Sequence, residues 1–122
     1  MKYDDNNIFA KILRGEIPCK KIYEDDYVLS FHDVNPQKKI HALVVPKGKY
    51  VDLDDFNAKA SDKEIVGLIK GISIVAKKLD ISVDTGKGYR ALTNISENGG
   101  QEVPHLHVHL FGGERVGRMV SD

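Results

Sequence analysis

The sequence has a single cysteine, no tryptophan and no excess of charge of either sign. Cys19 has no partner for an intramolecular disulfide, and a cysteine-rich metal site is excluded. Lysine plus arginine and aspartate plus glutamate number 18 each, so the formal net charge is zero at pH 7. Because no field of one sign would draw the chain to nucleic acid or to a membrane surface, we expect neither as a partner.

Long apolar runs are absent as well. No stretch approaches the length needed to span a bilayer, and the first five residues lack the apolar core of a signal peptide. We therefore expect a cytoplasmic protein. At 122 residues the chain can build one continuous hydrophobic core but not two. We expect a single domain over residues 1–122, with its core at about 8–113 and a polar tail at 114–122.

The spacing of apolar residues predicts one short and one long helix. Asn6 or Asn7 can cap a helix of about two turns that ends at Gly15. Ser61 and Glu64 have the spacing of a capping box at the start of the long helix. We expect only one irregular helical turn at residues 51–56. The core-facing stripe of the long helix recurs at three- and four-residue steps: Ile65, Leu68, Ile69, Ile72, Val75, Ala76 and Leu79.

Five segments have the composition or the alternation of β-strands: residues 20–24, 27–32, 40–46, 89–94 and 105–111. The nearly continuous apolar character of residues 40–46 predicts a central strand. In the second strand, the face with Val28, Ser30 and His32 is mixed enough to border a site. Separate strands followed by a long helix predict an α+β domain with a mostly antiparallel five-stranded sheet.

The most informative segment reads His-Leu-His-Val-His-Leu-Phe from His105. In a strand, alternate side chains share a face about 6.6 Å apart, so His105, His107 and His109 lie on one face and the aliphatic residues on the other. Three buried imidazoles without partners would each cost about 1 to 3 kcal/mol, which makes a purely structural role a poor explanation of this trio. We therefore predict a chemical site on this face, and His41 is a candidate member.

Two chemical interpretations of the histidines compete. Alternate histidines of the strand together with His41 are suited to bind zinc through neutral imidazole nitrogens. Alternatively, a neutral His107 attacks phosphorus while His105 and His109 flank it and stabilise charge on the phosphoryl oxygens. Residues around the histidines fit a nucleotide: Asp33 for ribose hydroxyls, Phe9, Ile12 and Phe31 for a base, and the Gly99-Gly100-Gln101 loop for backbone donors to a phosphate.

Residues 105–111 resemble the histidine-triad (HIT) signature, in which histidines alternate with apolar residues. The following Gly112-Gly113 resembles the Hint branch of that family. Further segments are similar to that branch in order and spacing, and they lie at residues 8–12, 16–18, 31–33, 41–46 and 99–101. The resemblance covers residues 8–113.

The resemblance implies a homodimeric purine nucleoside phosphoramidase, or nucleotidyl hydrolase, that works through a nucleotidyl-histidine without a metal or other cofactor. Its substrates would be adenosine or guanosine 5′-phosphoramidates. His107 would be the nucleophile, with its other ring nitrogen held by the carbonyl of His105. His109 would contact the α-phosphate and the leaving group, and His105 and His41 would complete the cluster.

The resemblance also assigns residues to a nucleotide. The base pocket would be lined by Ile8, Phe9, Ile12, Phe31 and Val34, with His32 beside it and Asp33 on the ribose. The phosphate would be bordered by Asn94, Gly100, Gln101 and Val103.

This chain departs from the animal members of the family at two places. Glu102 stands where those members carry a serine that helps to handle the leaving group, and a carboxylate there would favour an amine leaving group. Residues 114–122 lack the Trp-Pro-Pro ending of the animal members. Two alternatives to the enzyme remain open at this point: a nucleotide-binding regulatory module with little turnover, and a histidine metal-site protein.

Overall fold

The apolar strands form one five-stranded sheet that is antiparallel throughout. The structure is a computed structural model that describes residues 2–120. The strand order is β1-β2-β3-β5-β4, so the strand of nearly continuous apolar character is central, as predicted. The strands are β1 (Lys21–Glu24), β2 (Val28–His32), β3 (Ile40–Pro46), β4 (Arg90–Leu92) and β5 (Val108–Gly112), and the helices are α1 (Ile8–Leu13), α2 (Leu53–Lys59), α3 (Asp62–Lys78) and α4 (Ser96–Gly99).

The two faces of the sheet carry two apolar clusters. On the first face, Val28, Val44 and Leu110 pack with Leu68 and Val75 of α3. The second face carries a smaller cluster in which Phe9 of α1 packs on the sheet. The residues of the second cluster are Phe9, Leu29, Phe31, Leu43 and Val45.

Both predicted helices are present and are capped as their sequences indicate. The side chain of Asn7 accepts a hydrogen bond from the amide of Ala10 at the start of α1. Ser61 and Glu64 form the capping box of α3. Ile69 is an error in the predicted stripe, because its side chain is 62% exposed. It follows Leu68 by one residue, which turns it about 100° away from the buried face.

Residues 51–56 hold more regular structure than predicted. The irregular turn is a helix of seven residues, α2, which begins after Asp52. The Asp52 carboxylate accepts the Asp55 amide at 2.8 Å, and Phe56 is buried in the first cluster. The cap and the buried phenyl ring together explain a helix where the apolar spacing alone is weak.

The histidine strand keeps the predicted alternation of faces but is shorter than predicted. Regular pairing begins at Val108, since residues 105–107 lie outside the ladder and the Leu106 amide bonds to the carbonyl of Tyr50. Leu106, Val108 and Leu110 are all buried in the first cluster. The aliphatic residues therefore face the core under α3, and the histidines face the opposite side.

The prediction that Val28 and Ser30 border a site is wrong. Ser30 is fully buried, and Val28 lies in the first cluster beneath α3 at Gly71. Only His32, at the end of that strand, reaches a cavity. Within residues 2–120, no helix combines the length and apolar character needed to cross a membrane.

Candidate active site

Four of the five histidines meet on the sheet face that carries α1. The ring of His109 lies 5.1 Å from that of His107 and 5.2 Å from that of His41, measured between centroids. His105 is fully buried behind His107. The cluster predicted from sequence is therefore assembled, with His41 as a member, whereas His32 lies apart in a neighbouring cavity.

The hydrogen bond of His107 fixes which ring nitrogen carries its proton. Nδ1 lies 2.7 Å from the carbonyl oxygen of His105. A carbonyl only accepts, so Nδ1 donates, and a neutral ring then keeps its lone pair on Nε2. The backbone of His107 is held in turn, because the Thr93 hydroxyl donates to its carbonyl at 2.7 Å. His107 thus presents an unprotonated nitrogen from a fixed position.

Both ring nitrogens of His105 are engaged within the protein. Nε2 lies 2.9 Å from the Pro46 carbonyl, to which it donates, and Nδ1 accepts the hydroxyl of Tyr3 at 2.5 Å. No lone pair of this ring is left for a metal. The zinc interpretation of the alternate histidines therefore does not fit His105, which instead anchors the segment that holds His107.

His41 and His109 form a directed relay. The backbone amide of Gln37 donates to Nδ1 of His41, so the proton of this neutral ring is on Nε2. That nitrogen lies 2.9 Å from Nδ1 of His109, which accepts it and keeps its own proton on Nε2. The Asp33 carboxylate lies 3.4 Å from the shared nitrogen of His41. In this arrangement His109 offers an N–H donor to the site.

Burial keeps the cluster neutral. It lowers the pKa of His105 to about 4, against a bond to the Pro46 carbonyl that favours the charged form. Burial, followed by the nearby rings of His107 and His41, lowers the pKa of His109 to about 4. Burial also lowers the pKa of His107 and of His41, and Asp33 opposes the shift in both. All four imidazoles are therefore uncharged at neutral pH.

An apolar wall stands beside His107. The ring of Phe9 meets the His107 ring edge to face at 4.9 Å and the Phe31 ring at 5.7 Å. Ile12 and Val103 pack on the same cluster. The predicted base-pocket residues Phe9, Ile12 and Phe31 therefore share one cluster with Val103, which was predicted at the phosphate, and Phe9 contacts the His107 ring. Ile8, by contrast, is 45% exposed at the start of α1.

A cavity of about 820 Å³ opens at the end of β2, and His32, Asp33, Val34 and His41 line it. Val34 is 87% exposed, so it forms the rim rather than the floor. The Asp33 carboxylate is held by the amide of Asn35 at 2.8 Å and faces His41. Three residues predicted to hold a nucleoside, His32, Asp33 and Val34, therefore surround one opening that His41 also lines. The predicted base residues Phe9, Ile12 and Phe31 lie in the apolar cluster and not in the lining of this cavity.

The Gly99-Gly100-Gln101 segment does not act as the predicted anion loop. The amides of Gly100 and Gln101 donate to the carbonyls of Glu97 and Ser96, which closes helix α4 with Gly100 in the left-handed conformation. The side-chain Nε2 of Gln101 donates to the backbone carbonyls of Val51 and Val103. These donors brace the wall of the site and are not available to a phosphate.

Other predicted phosphate residues lie around the histidines. Asn94 and His109 line a second cavity of about 380 Å³. Glu102 is exposed, and its carboxylate is close enough to raise the pKa of His107 slightly against the effect of burial.

Three contacts that fix histidine tautomers were not predicted from the sequence, whereas the bond of His107 to the His105 carbonyl was implied by the family resemblance. Tyr3 is 102 residues from His105, and the Gln37 and Pro46 contacts are made through the backbone. Backbone donors carry no sequence signal. Thr93 is the exception, because it lies in the predicted strand beside the histidines and has a hydroxyl.

Among the described residues, Asp33, His41 and His109 form a group with metal-ligand chemistry, since one ligand atom from each lies within 4.8 Å of the others. Nε2 of His41 and Nδ1 of His109 face each other and are joined by the hydrogen bond of the relay. A metal at this point would have to break that bond. The donor set fits a proton relay better than a metal site.

A family model described as the HIT domain matches residues 14–116. The chain belongs to the HIT family. It is 53% identical to an uncharacterized 13.2 kDa HIT-like protein of Azospirillum brasilense over 98% of this chain and 95% of the relative. Among solved structures, a HIT family hydrolase from Clostridium thermocellum superposes with a TM-score of 0.85 at 34% identity, covering 97% of this chain and 99% of that one.

A second HIT structure carries a more specific name. The histidine triad nucleotide-binding protein from Candida albicans superposes with a TM-score of 0.76 at 28% identity, covering 96% of this chain and 85% of that one. The α+β fold with an antiparallel five-stranded sheet is the HIT fold, as the sequence predicted. HIT relatives of this similarity indicate a hydrolase of the same broad kind.

Proposed function

We propose that this HIT protein is a purine nucleoside phosphoramidase of the Hint type, which cleaves the P–N bond of adenosine or guanosine 5′-phosphoramidates and releases AMP or GMP. The observation that carries the proposal is the bond from Nδ1 of His107 to the His105 carbonyl, which leaves Nε2 as a nucleophile. The hydrolase and nucleotide-binding names of the relatives support the same class.

The reaction proceeds in two displacements. Nε2 of His107 forms a bond to phosphorus, the P–N bond breaks, and the departing nitrogen takes up one proton to leave as an amine. Water then attacks phosphorus and the bond to His107 breaks. The nucleotide leaves with the water's hydroxyl on phosphorus, and the second water proton replaces the one that the amine took. Throughout, the proton on Nδ1 of His107 stays bonded to that nitrogen and is donated in a hydrogen bond to the His105 carbonyl.

The other histidines stabilise the charge that develops on phosphorus. The Nε2–H of His109 is a donor for a phosphoryl oxygen, and the relay from Gln37 through His41 keeps the proton on that nitrogen. In a water-poor site such a fixed donor needs no reorganisation. Glu102 delivers the proton of the departing amine from solvent, in the place of the serine of animal members.

The ribose lies at the cavity beside the relay, where Asp33 accepts from its hydroxyls. The base packs on the apolar cluster that contains Phe9, Ile12 and Phe31. His32 and Val34 border the base, while Asn94 and Val103 border the phosphate. Gly100 and Gln101 contribute by shaping the wall.

Steady-state release of AMP from adenosine 5′-phosphoramidate tests the proposal. We expect release to continue in the presence of a chelator and to fall by about 10⁴-fold or more in His107→Ala. Tight binding of AMP without turnover would support a regulatory nucleotide-binding module instead. Loss of activity on chelation, restored by zinc, would support a metal site at Asp33, His41 and His109.

We also propose that the enzyme is a cytoplasmic homodimer. Val66 and Ile69 are exposed apolar residues on α3, at 49% and 62%, and β4 is an edge strand of the sheet. A second copy that covers both features would remove them from water. Sedimentation equilibrium at micromolar concentration measures this directly, and a monomer would contradict it.

A further inference from the structure

The ionised side chains that line the second cavity, beside His109, are all basic. Its volume is about 380 Å³, and the three ionised side chains that line it are Lys38, Arg90 and Arg118. No carboxylate lines it among the described residues. This is unusual in a chain with equal numbers of acidic and basic residues. Lys38 and Arg90 therefore give the wall of this cavity positive charge beside His109.

The wall of this cavity is built by the C-terminal tail. The guanidinium of Arg90 donates to the carbonyls of Gly117 and Arg118, at 2.8 and 3.0 Å. Both acceptors are backbone carbonyls, so these bonds use two of the five N–H donors of Arg90 and involve no carboxylate. Lys38, which is half-buried, also lines the cavity. The tail thus forms part of the cavity wall and is bonded to Arg90.

The position of the cavity identifies which part of a substrate it meets. His41 lines the nucleoside cavity and His109 lines the cationic one, so the relay separates the two. In the proposed reaction His109 contacts both the α-phosphate and the leaving group, and His109 lines the cationic cavity. A leaving group held at His109 therefore lies beside this cavity.

We propose that this cationic cavity is a subsite for an anionic leaving group, so that the enzyme prefers phosphoramidates whose amine carries a carboxylate or a phosphate. The inference rests on the proposed function, from which it takes the position of the leaving group. Lys38 is a specificity-determining residue, because its ammonium is half-buried and its removal does not disturb the bonds that Arg90 makes to the tail.

A matched pair of substrates isolates the charge. The adenosine 5′-phosphoramidates of β-alanine and of its amide, β-alaninamide, differ only by a carboxylate in place of a carboxamide. We expect kcat/KM to be about tenfold higher for the β-alanine compound, and we expect the ratio to fall to about twofold in Lys38→Gln. Lys38→Arg should restore the ratio. Lys77→Gln removes the same charge from the exposed end of α3 and should leave the ratio unchanged.

A binding measurement separates failure of this proposal from failure of the proposed function. The terminal phosphate of ADP occupies the leaving-group position, so calorimetry should give tighter binding of ADP than of AMP, by about tenfold, and Lys38→Gln should abolish most of that difference. Without AMP release, this result would keep the anion subsite and overturn the enzyme. Normal AMP release with ratios that Lys38→Gln does not change would overturn the subsite and keep the enzyme.

Discussion

The Nδ1 atom of His107 lies 2.7 Å from the backbone carbonyl oxygen of His105, two residues earlier in the same extended segment. This contact sets the tautomer of His107 without any second side chain. It also links the reactive nitrogen to whatever holds His105, namely Tyr3 and the Pro46 carbonyl. The nucleophile is therefore oriented from outside the nucleotide cavity.

The pH dependence of the reaction follows from the protonation of His107. Burial lowers its pKa from the ordinary value of 6.5, against the Coulomb effects of Asp33 and Glu102. Imidazolium cannot attack, so kcat/KM should decrease towards acid pH, and the midpoint of this decrease should lie below pH 6.5. Neighbouring rings titrate together with it, and the midpoint belongs to the cluster. Rates between pH 4 and 8 check this, and a limb at pH 7 or above would contradict it.

Tyr3→Phe removes the hydroxyl that Nδ1 of His105 accepts. A buried nitrogen without its partner should lower the free energy of unfolding by about 1 to 3 kcal/mol. Because the carbonyl of His105 holds His107, kcat should fall by about threefold to tenfold with little change in KM. Urea denaturation and steady-state kinetics measure the two effects.

The control for this substitution is Tyr27→Phe. Tyr27 packs against the first cluster beneath α3 and loses the same hydroxyl away from the histidines. An equal loss of kcat in both variants would show that Tyr3 has only a structural role.

Glu102→Ser replaces the exposed carboxylate with the serine of animal HIT members. If the carboxylate handles the proton of an amine leaving group, the substitution should change the preference between aminoacyl-type and simple phosphoramidates by about tenfold. The readout is relative kcat/KM for the two substrates. An unchanged ratio would remove Glu102 from the leaving-group step.

The sequence predicted the fold and the histidine cluster well because both depend on alternation. Leu106, Val108 and Leu110 face the core, and the histidines face away from it, even though regular pairing starts only at Val108. The family resemblance implied the tautomer of His107 through its bond to the His105 carbonyl. The tautomers of His105, His41 and His109 were beyond prediction, because they depend on the remote Tyr3 and on a backbone amide at Gln37.

The loop at Gly99 and Gly100 shows the opposite case. Its glycines are typical of an anion loop, and the amides of Gly100 and Gln101 close α4 instead. Whether a backbone donor is already used depends on the local turn, which composition does not specify. The residue types there were consistent with two structures, and the tertiary contacts of Gln101 with Val51 selected one.

The central claim is the covalent nucleotidyl-histidine, and its most direct test is the intact mass of enzyme quenched during turnover of adenosine 5′-phosphoramidate. The bond between histidine and phosphorus is acid-labile, so the quench and the peptide digestion are kept at neutral to basic pH. The account predicts a species heavier by one adenylyl group, located on the peptide that contains His107, and absent from His107→Ala. Turnover with no adduct on rapid quenching, or an adduct on another residue, would contradict it.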